Sequence, residues 1–391
     1  MAPESMKFGL ALSGGGSRAA AFHLGCMRAL HDRGILGQIR TLSTVSGGSV
    51  IGALWAYSDD DFEDFDKRVQ RMLRRGLKSG ILRYTLVSRT TPKILGTVVT
   101  AGAMAFVCAA LRIALSSLQL VGVPDTSIAK LRRALQAPLS RSASRTTAFA
   151  QFLDNEFFKG AMLREVKRDK LHVVINASEL RTQSAYRYGS LESGCWRFGA
   201  LTEDTKVARA VAASAAFPAI LPALDEKRRY TKWGKTATHR TIVSDGGVYD
   251  NLGTSCLIPK RDSDFSTNVT DVDFIIACVA GMGVPDGSDL PYHWPSRMMA
   301  AINTIHRRTH SMTFDILHRL QETRQIKGFV MPYLGQNDNS LPCAPADLVP
   351  RNATYQYPTN FDPMSQRDFD LLVKRGEQLT RNLIETHHPE L

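Results

Sequence analysis

The first sixty residues alternate apolar runs, glycine-rich turns and helical segments, and this order constrains the fold more than any other feature of the chain. A buried strand is predicted over residues 8–12 and is broken by the glycine-rich residues 13–17, after which a helix is predicted over 18–33. A second strand is predicted over 42–45 and a second helix over 49–57. This succession favours a right-handed crossover between parallel strands, so the sequence predicts an α/β fold.

The alternation of strands and helices resumes after residue 152. Further strands are predicted over 171–175, 241–244, 273–279 and 328–333, and further helices over 207–214, 298–323 and 365–385. We therefore expect one catalytic domain over 1–391, with three layers and a mostly parallel central sheet. A basic, apolar helical insert is expected at 67–153.

A serine stands where the second strand is predicted to meet its helix, in Thr44-Val45-Ser46-Gly47-Gly48-Ser49. A sharp strand-to-helix turn can expose a hydroxyl, and small neighbours such as Gly47 and Gly48 let the backbone turn tightly. The helix N-terminus adds a positive end near developing negative charge. Ser46 is thus a candidate nucleophile, although an N-cap serine in a glycine-rich turn fits this motif equally well.

Three consecutive glycines, Gly14, Gly15 and Gly16, follow the first strand. Their N–H groups can point into open space and stabilise a tetrahedral oxyanion. Arg18 adds a positive charge, either as a phosphate contact or as a helix-positioning salt bridge. The dinucleotide fingerprint G-x-G-x-x-A also fits, but it requires an acid at the end of the second strand, where Ser46 stands instead. No Walker phosphate loop occurs.

An aspartate followed by two glycines, Asp245-Gly246-Gly247, ends the strand predicted over 241–244. A carboxylate in such a tight turn can approach another loop closely and accept a proton from Ser46. A loop cap is the alternative interpretation, and Asp250 is a second candidate for the base.

A serine–histidine–aspartate triad is less favoured than a dyad. Three histidines follow Asp245 and would keep the order serine, aspartate, histidine, but His306, His310 and His318 fall on a predicted helix with an arginine-rich, exposed face. His23 lies on the first helix and is a candidate core residue.

The cysteines and the N-terminal residues favour an intracellular protein. The six cysteines are scattered, with no metal-like spacing, which favours free thiols in a reducing compartment. No secretory signal peptide is recognised near the N-terminus, so we expect a cytoplasmic protein. Neither a metal nor another cofactor is expected.

Taken in order, the motifs resemble those of the patatin-like phospholipases. The matching segments are residues 13–18, 44–49 and 244–247, together with the alanine- and serine-rich segment 209–218. The resemblance covers roughly residues 7–253. It implies a parallel α/β sheet, Ser46 as nucleophile, Asp245 as base and oxyanion donors from Gly14 to Gly16, with Gly48 and Gly246 in support. It also implies hydrolysis of fatty-acyl esters through an acyl-enzyme, without metal.

The positive charge of the chain is concentrated in the insert. The net charge is +12, and residues 67–153 contain fifteen lysines or arginines against one acid. A basic block of this kind favours anionic lipid or nucleic acid. Since no zinc-finger, RRM or helix-turn-helix pattern accompanies it, no nucleic acid partner is expected.

An uncharged run of eighteen residues, Ile94–Leu111, lies inside the insert, and a second uncharged stretch follows Arg112 as far as residue 124. A bilayer-spanning helix needs about 20 apolar residues. The basic residues that flank the run are Lys78, Arg83, Arg89 and Lys93 before it, and Lys130, Arg132 and Arg133 after it. An interfacial or re-entrant segment that docks the enzyme on an anionic membrane is one interpretation. A buried cap helix over the site is the other.

The sequence therefore predicts a lipid acyl hydrolase, of phospholipase A, lysophospholipase or esterase type, at the periphery of a membrane or partly inserted in it. Two alternatives stay open. One is an acyltransferase that uses the same serine, and the other is a catalytically silent lipid-binding protein. The expected substrate is a membrane phospholipid or another acyl lipid.

Overall fold

Among the described residues, ten strands form one sheet in the order β10-β9-β1-β2-β3-β4-β5-β6-β7-β8. The computed structural model describes residues 6–88, 90–119, 131, 135, 140, 143–218, 220–285, 287–288 and 290–391. Residues 120–124 of the predicted apolar stretch, together with Arg89, Lys130, Arg132 and Arg133, lie outside the described residues.

The strands are β1 Phe8–Leu12, β2 Ile39–Val45, β3 His172–Glu179, β4 Ser184–Gly189, β5 Ser193–Cys195, β6 Gly199–Leu201, β7 Leu224–Lys232, β8 Lys235–Asp245, β9 Phe274–Cys278 and β10 Gly328–Val330. The helices are α1 Gly16–Asp32, α2 Gly47–Ala56, α3 Phe62–Arg75, α4 Lys78–Leu86, α5 Thr91–Gln119, α6 Arg145–Leu153, α7 Val207–Ser214, α8 Gly247–Asp250, α9 Trp294–Glu322 and α10 Gln366–His387.

One half of the sheet is parallel, as the N-terminal motifs predict. β1 pairs in parallel with β2 and with β9, β2 pairs in parallel with β3, and β10 joins in parallel at the edge. Helix α1 makes the crossover from β1 to β2. The α/β class and the parallel start are therefore confirmed.

The other half is antiparallel, so the prediction of a mostly parallel sheet is wrong. Strands β3 to β8 pair antiparallel in sequence, and β8 also pairs with β3, which closes these six strands into a barrel. The turn between β7 and β8 shows one local reason for antiparallel pairing, because Trp233 and Gly234 both have positive φ, 49° and 73°. Two such residues form the tight turn that joins antiparallel strands, here between Lys232 and Lys235.

Apolar side chains cover both faces of the parallel half of the sheet. The larger cluster lies between the sheet and helices α1, α2, α3 and α10. Helices α1 and α10 pack very closely at two glycines. A Cβ on Gly25 would meet the Val373 backbone, and a Cβ on Gly376 would meet the Phe22 backbone. A second cluster on β1, β3, β9 and β10 includes Leu317 and Leu320 near the end of α9. The sheet is thus covered by helices on one face, and by a loop and the end of α9 on the other.

Both ends of the predicted insert pack into the main core. Val69 and Met72 of α3, and Phe149 and Phe152 of α6, belong to it. Helix α4 has no buried residue. It nevertheless packs against α6, where Gly80 and Tyr84 contact Phe152, so the segment that projects from the core is α5.

Helix α5 is long and apolar enough to cross a membrane, judged by length and composition, over Thr91–Ser117. Only 6% of its most apolar eighteen-residue window is buried. Val99 and Phe106 on α5 are exposed. A helix so little covered favours the membrane-docking interpretation of the apolar run over a buried cap.

Candidate active site

Ser46 occupies a sharp turn between β2 and α2. Its backbone has φ 51° and ψ −117°, a combination that residues other than glycine adopt rarely and at a cost of roughly 1–3 kcal/mol. The glycines after it make the turn possible, because the Gly16 backbone occupies the space of a Cβ on Gly47, and the Leu12 carbonyl that of a Cβ on Gly48. The turn is thus pressed against the end of β1 and the glycine loop.

Strand β3 brings the serine and the distant aspartate together. Val45, the last residue of β2, pairs with Asn176, and Asp245, the last residue of β8, pairs with the next residue, Ala177. The opposite edge of β3 pairs with β4. β2 and β8 therefore run toward each other along one edge of β3, and their ends meet there. Ser46 and Asp245 lie at that meeting point.

The Asp245 carboxyl is buried and only partly hydrogen-bonded. Its Oδ1 accepts a hydrogen bond from Gly247 N at 2.7 Å, whereas its buried Oδ2 has no hydrogen-bond partner among the described residues. Burial raises the pKa of Asp245 to about 7, against the smaller lowering effects of the Gly247 N–H and the Ser46 hydroxyl. The Ser46 hydroxyl is thus close enough to interact with the carboxyl, without completing a hydrogen bond of regular geometry to Oδ2.

The glycine loop lies against Ser46, but its three amides are not equivalent. A Cβ on Gly14 would stand 3.4 Å from Ser46 Cβ, so the loop and the serine are in contact. Gly14 N donates to the Asn251 carbonyl at 2.9 Å, and the expectation of three free donors does not hold there. Gly15 and Gly16 have φ of 146° and 59°. Within the described ranges, no hydrogen bond from either amide is found.

The family is identified by comparison of sequences. The sequence profile of the Patatin-like phospholipase family matches residues 10–258, which is more than half of the chain and includes the glycine loop, Ser46 and Asp245. The chain belongs to the patatin-like phospholipase family. No significant match was found among curated protein sequences.

Comparison with solved structures gives distant matches. Human GIVD cytosolic phospholipase A2, in complex with methyl gamma-linolenyl fluorophosphonate, is 12% identical, with a TM-score of 0.50, and the match covers 96% of this chain and 57% of that one. VipD from Legionella pneumophila is 14% identical, with a TM-score of 0.40 and coverage of 98% and 67%. ExoU of Pseudomonas aeruginosa, in its complex with SpcU, is 14% identical, with a TM-score of 0.32 and coverage of 97% and 51%. The chain thus spans between half and two thirds of these proteins.

Ser214 contacts the candidate site and was not singled out from the sequence. Its Oγ accepts a hydrogen bond from Ser46 N at 2.9 Å and donates one to the Asn176 carbonyl at 2.6 Å. It also contacts Ser49 Oγ at 2.8 Å. Ser214 ends α7, in the alanine- and serine-rich segment that matches the family. The segment was recognised, but its contact with Ser46 depends on how α7 packs against β3.

Arg18 serves as a backbone anchor, which differs from both roles considered for it. Its Nε donates to the Ala280 carbonyl at 3.0 Å and its Nη1 to the Tyr357 carbonyl at 2.6 Å. Burial lowers the pKa of Arg18 to about 10. Among the described residues it makes no ion pair. Its Nη2 lies 3.3 Å from where a Cβ on Gly15 would stand, so the cation is next to the glycine loop.

The other acid considered as a base is a loop cap. Asp250 accepts hydrogen bonds from three backbone amides, those of Leu252, Gly253 and Ser255, at 3.1, 3.0 and 2.8 Å. Both of its carboxylate oxygens are thus satisfied by its own loop, whereas Asp245 retains an oxygen without a partner.

The three histidines on α9 do not complete a triad in the described structure. His306 Nε2 lies 2.8 Å from the Gly247 carbonyl, His310 packs against Tyr333, and His318 packs against Phe314 and Phe329. Among the described residues, none of the three histidines contacts Ser46 or Asp245. His306 is nevertheless half-buried rather than exposed as predicted, because α9 lies over the turn after Asp245.

Proposed function

We propose that this protein is a lipid acyl hydrolase that cuts fatty-acyl esters with Ser46 as nucleophile and Asp245 as base. The observation that supports this most directly is the meeting of β2 and β8 at Asn176 and Ala177 on one edge of β3. This pairing supports a hydroxyl in a strained, half-buried turn beside a buried carboxyl. A nucleophile within reach of a base is the arrangement that covalent ester hydrolysis requires.

The proposed reaction proceeds in two steps. Asp245 takes the Ser46 proton as Oγ attacks the ester carbonyl, and the amides of Gly15 and Gly16 bind the oxyanion. Asp245 then returns the proton to the departing alcohol, which leaves acyl-Ser46. In the second step Asp245 activates a water molecule, and collapse of the second tetrahedral intermediate releases the fatty acid and restores Ser46. Each step uses protein groups and water.

The environment of Asp245 suits this role. A general base works best when its pKa is close to the working pH, and burial raises the pKa of Asp245 to about 7. Oδ2 has no other hydrogen bond to break, so it is available to the serine proton. An ordinary exposed aspartate, with a pKa near 4, would be a weaker base.

Labelling by a fluorophosphonate tests the nucleophile. Human GIVD cytosolic phospholipase A2 was solved with such a compound, so the full-length chain should be labelled at Ser46 and should hydrolyse a p-nitrophenyl acyl ester. Ser46→Ala should abolish both. Ser193→Ala removes a buried serine of the antiparallel barrel and is the matched control. A folded Ser46→Ala variant with full esterase activity would refute the proposal, and an unlabelled, inactive wild-type chain would favour a silent lipid-binding protein.

We further propose that α4 and α5 attach the enzyme to an anionic membrane. Several basic residues near the start of the insert form ion pairs with acidic residues, among them Arg68 with Asp60 and Lys78 with Asp362. For Arg83, Lys93 and Arg112, no ion pair is found among the described residues. These three charges lie on the same two helices as the exposed apolar surface, which is the combination that favours interfacial binding.

A further inference from the structure

A compact group of metal-binding side chains lies behind the glycine loop, outside the proposed catalytic machinery. A ring nitrogen of His23 and the thiols of Cys26 and Cys278 lie within 4.8 Å of one another, and all three residues are fully buried. His23 and Cys26 belong to α1, one turn apart, and Cys278 ends β9. The group therefore joins the crossover helix to the sheet.

One ring nitrogen of His23 is available to bind a metal ion. His23 Nε2 lies 3.0 Å from the Ser13 carbonyl, to which it can only donate, so Nδ1 holds the lone pair. Nδ1 is buried and has no hydrogen-bond partner in the described part of the chain. A buried polar atom without a partner costs about 1–3 kcal/mol. A histidine that donates to a backbone carbonyl from one nitrogen is oriented as metal-binding histidines usually are.

The two thiols of this group are free, because neither Cys26 nor Cys278 is part of a disulfide, and both are fully buried. A thiolate is the form of cysteine that binds metals.

We propose that His23, Cys26 and Cys278 form a binding site for a thiophilic d10 metal ion. Two sulfur ligands and one imidazole are the soft donor set that Cu⁺ and Zn²⁺ prefer. Ligand atoms around one such ion stand about 4 Å apart, given metal–ligand distances of about 2.0–2.3 Å, so the three donors need to close by less than about 1 Å. Three donors suit Cu⁺, since closed zinc sites take four ligands.

The position of the site gives it a structural role. Ser13, whose carbonyl accepts from His23, also accepts a hydrogen bond from Ala280 N through its Oγ, at 2.9 Å, and its own N–H donates to the Cys278 carbonyl at 3.1 Å. Ser13 directly precedes the three glycines. A metal ion held by His23, Cys26 and Cys278 would therefore tie α1, β1 and β9 together immediately behind the glycine loop.

Metal stoichiometry tests the site without reference to catalysis. The full-length chain, purified without oxygen, is loaded separately with Cu⁺ and with Zn²⁺, and bound metal is measured by mass spectrometry after desalting. We expect about one ion per chain, thiolate-to-metal absorption in the ultraviolet, and a higher Tm than for the metal-free chain. His23→Gln keeps a donor for the Ser13 carbonyl but removes the Nδ1 ligand, and it should weaken binding at least about tenfold.

Cysteine variants provide the second arm and the controls. Cys26→Ser and Cys278→Ser should lose the absorption band and the metal-dependent rise in Tm. Cys195→Ala removes a buried thiol elsewhere, and Cys343→Ser an exposed one, and neither should change the stoichiometry. Failure to bind either ion, binding that persists in folded His23 and Cys26 variants, or a Cys26–Cys278 disulfide in place of a metal would each overturn the proposal.

Discussion

The hydroxyl of Ser214 accepts a hydrogen bond from the backbone N–H of Ser46 at 2.9 Å, across 168 residues of sequence. The same hydroxyl donates to the carbonyl of Asn176, the residue that pairs with Val45. One side chain on α7 thus holds the proposed nucleophile's backbone against the strand that also positions Asp245.

We expect Ser214→Ala to lower kcat by about 10- to 100-fold, because small displacements of a reacting group cost about this much. KM should change little, since Ser214 faces the backbone of the turn rather than the open side. Steady-state kinetics on the acyl ester provide the measurement. Ser214→Thr keeps the hydroxyl and should recover part of kcat. If Ser214→Ala changed only Tm, a purely structural role would follow.

The activity should rise with pH through about 7. Burial raises the pKa of Asp245 to that value, and only the ionised carboxylate can accept the Ser46 proton. The pH profile of kcat/KM should therefore show an ascending limb with an apparent pKa near 7. Asp245→Asn should remove the limb together with nearly all activity. An ascending limb near pH 4, typical of an exposed carboxyl, would contradict the proposed environment.

Asp245→Asn should also stabilise the fold at alkaline pH. Because the folded-state pKa lies above the ordinary value of 3.8, the folded chain binds an extra proton between about pH 4 and 7. This group's favourable contribution is present below pH 4 and is lost as pH rises through 7. At pH 8 the variant should unfold with a free energy about 2–4 kcal/mol higher than the wild type, and at pH 4 the difference should vanish. Denaturant titrations at both pH values measure it.

Gly47→Ala should disrupt the turn that presents Ser46. The added Cβ would meet the backbone of Gly16, and overpacking of this kind costs about 1–3 kcal/mol. We expect lower thermal stability and a loss of labelling by the fluorophosphonate. Gly37→Ala is the matched control, because nothing lies within 4 Å of a Cβ there. Equal behaviour of the two variants would show that the close approach of Gly47 and Gly16 is not required.

Membrane attachment through α5 is tested by liposome flotation. Val99→Glu with Phe106→Glu places two charges on exposed apolar positions, each at a cost of roughly 2.5–3.5 kcal/mol in a bilayer centre. Binding to vesicles with phosphatidylserine should fall sharply, while hydrolysis of a short soluble ester is retained. Substituting alanine at both positions is the control. Undiminished flotation of the double glutamate variant would contradict membrane attachment through α5.

Much of the candidate site was predictable because its motifs are local. The turn around Ser46, the glycine loop and Asp245-Gly246-Gly247 each depend on residues adjacent in sequence, whose small size permits tight backbone turns. The same holds for the parallel start of the sheet, whose strand and helix periodicities differ clearly. Exact bounds were less predictable: β8 begins at Lys235, six residues before the predicted strand, since its first half is an exposed hairpin arm.

What the sequence determined by itself is the family, the α/β class and the small set of polar groups at strand ends. The tertiary structure alone decided the closure of β3 to β8 into a barrel. It also decided the hydrogen bond that occupies the Gly14 N–H with the Asn251 carbonyl, and the hydrogen bonds that hold the Arg18 side chain and the Ser46 backbone in place. The physical reason is that long-range strand pairing and backbone hydrogen bonds depend on packing between distant segments, and the residue pattern of either segment alone does not specify it.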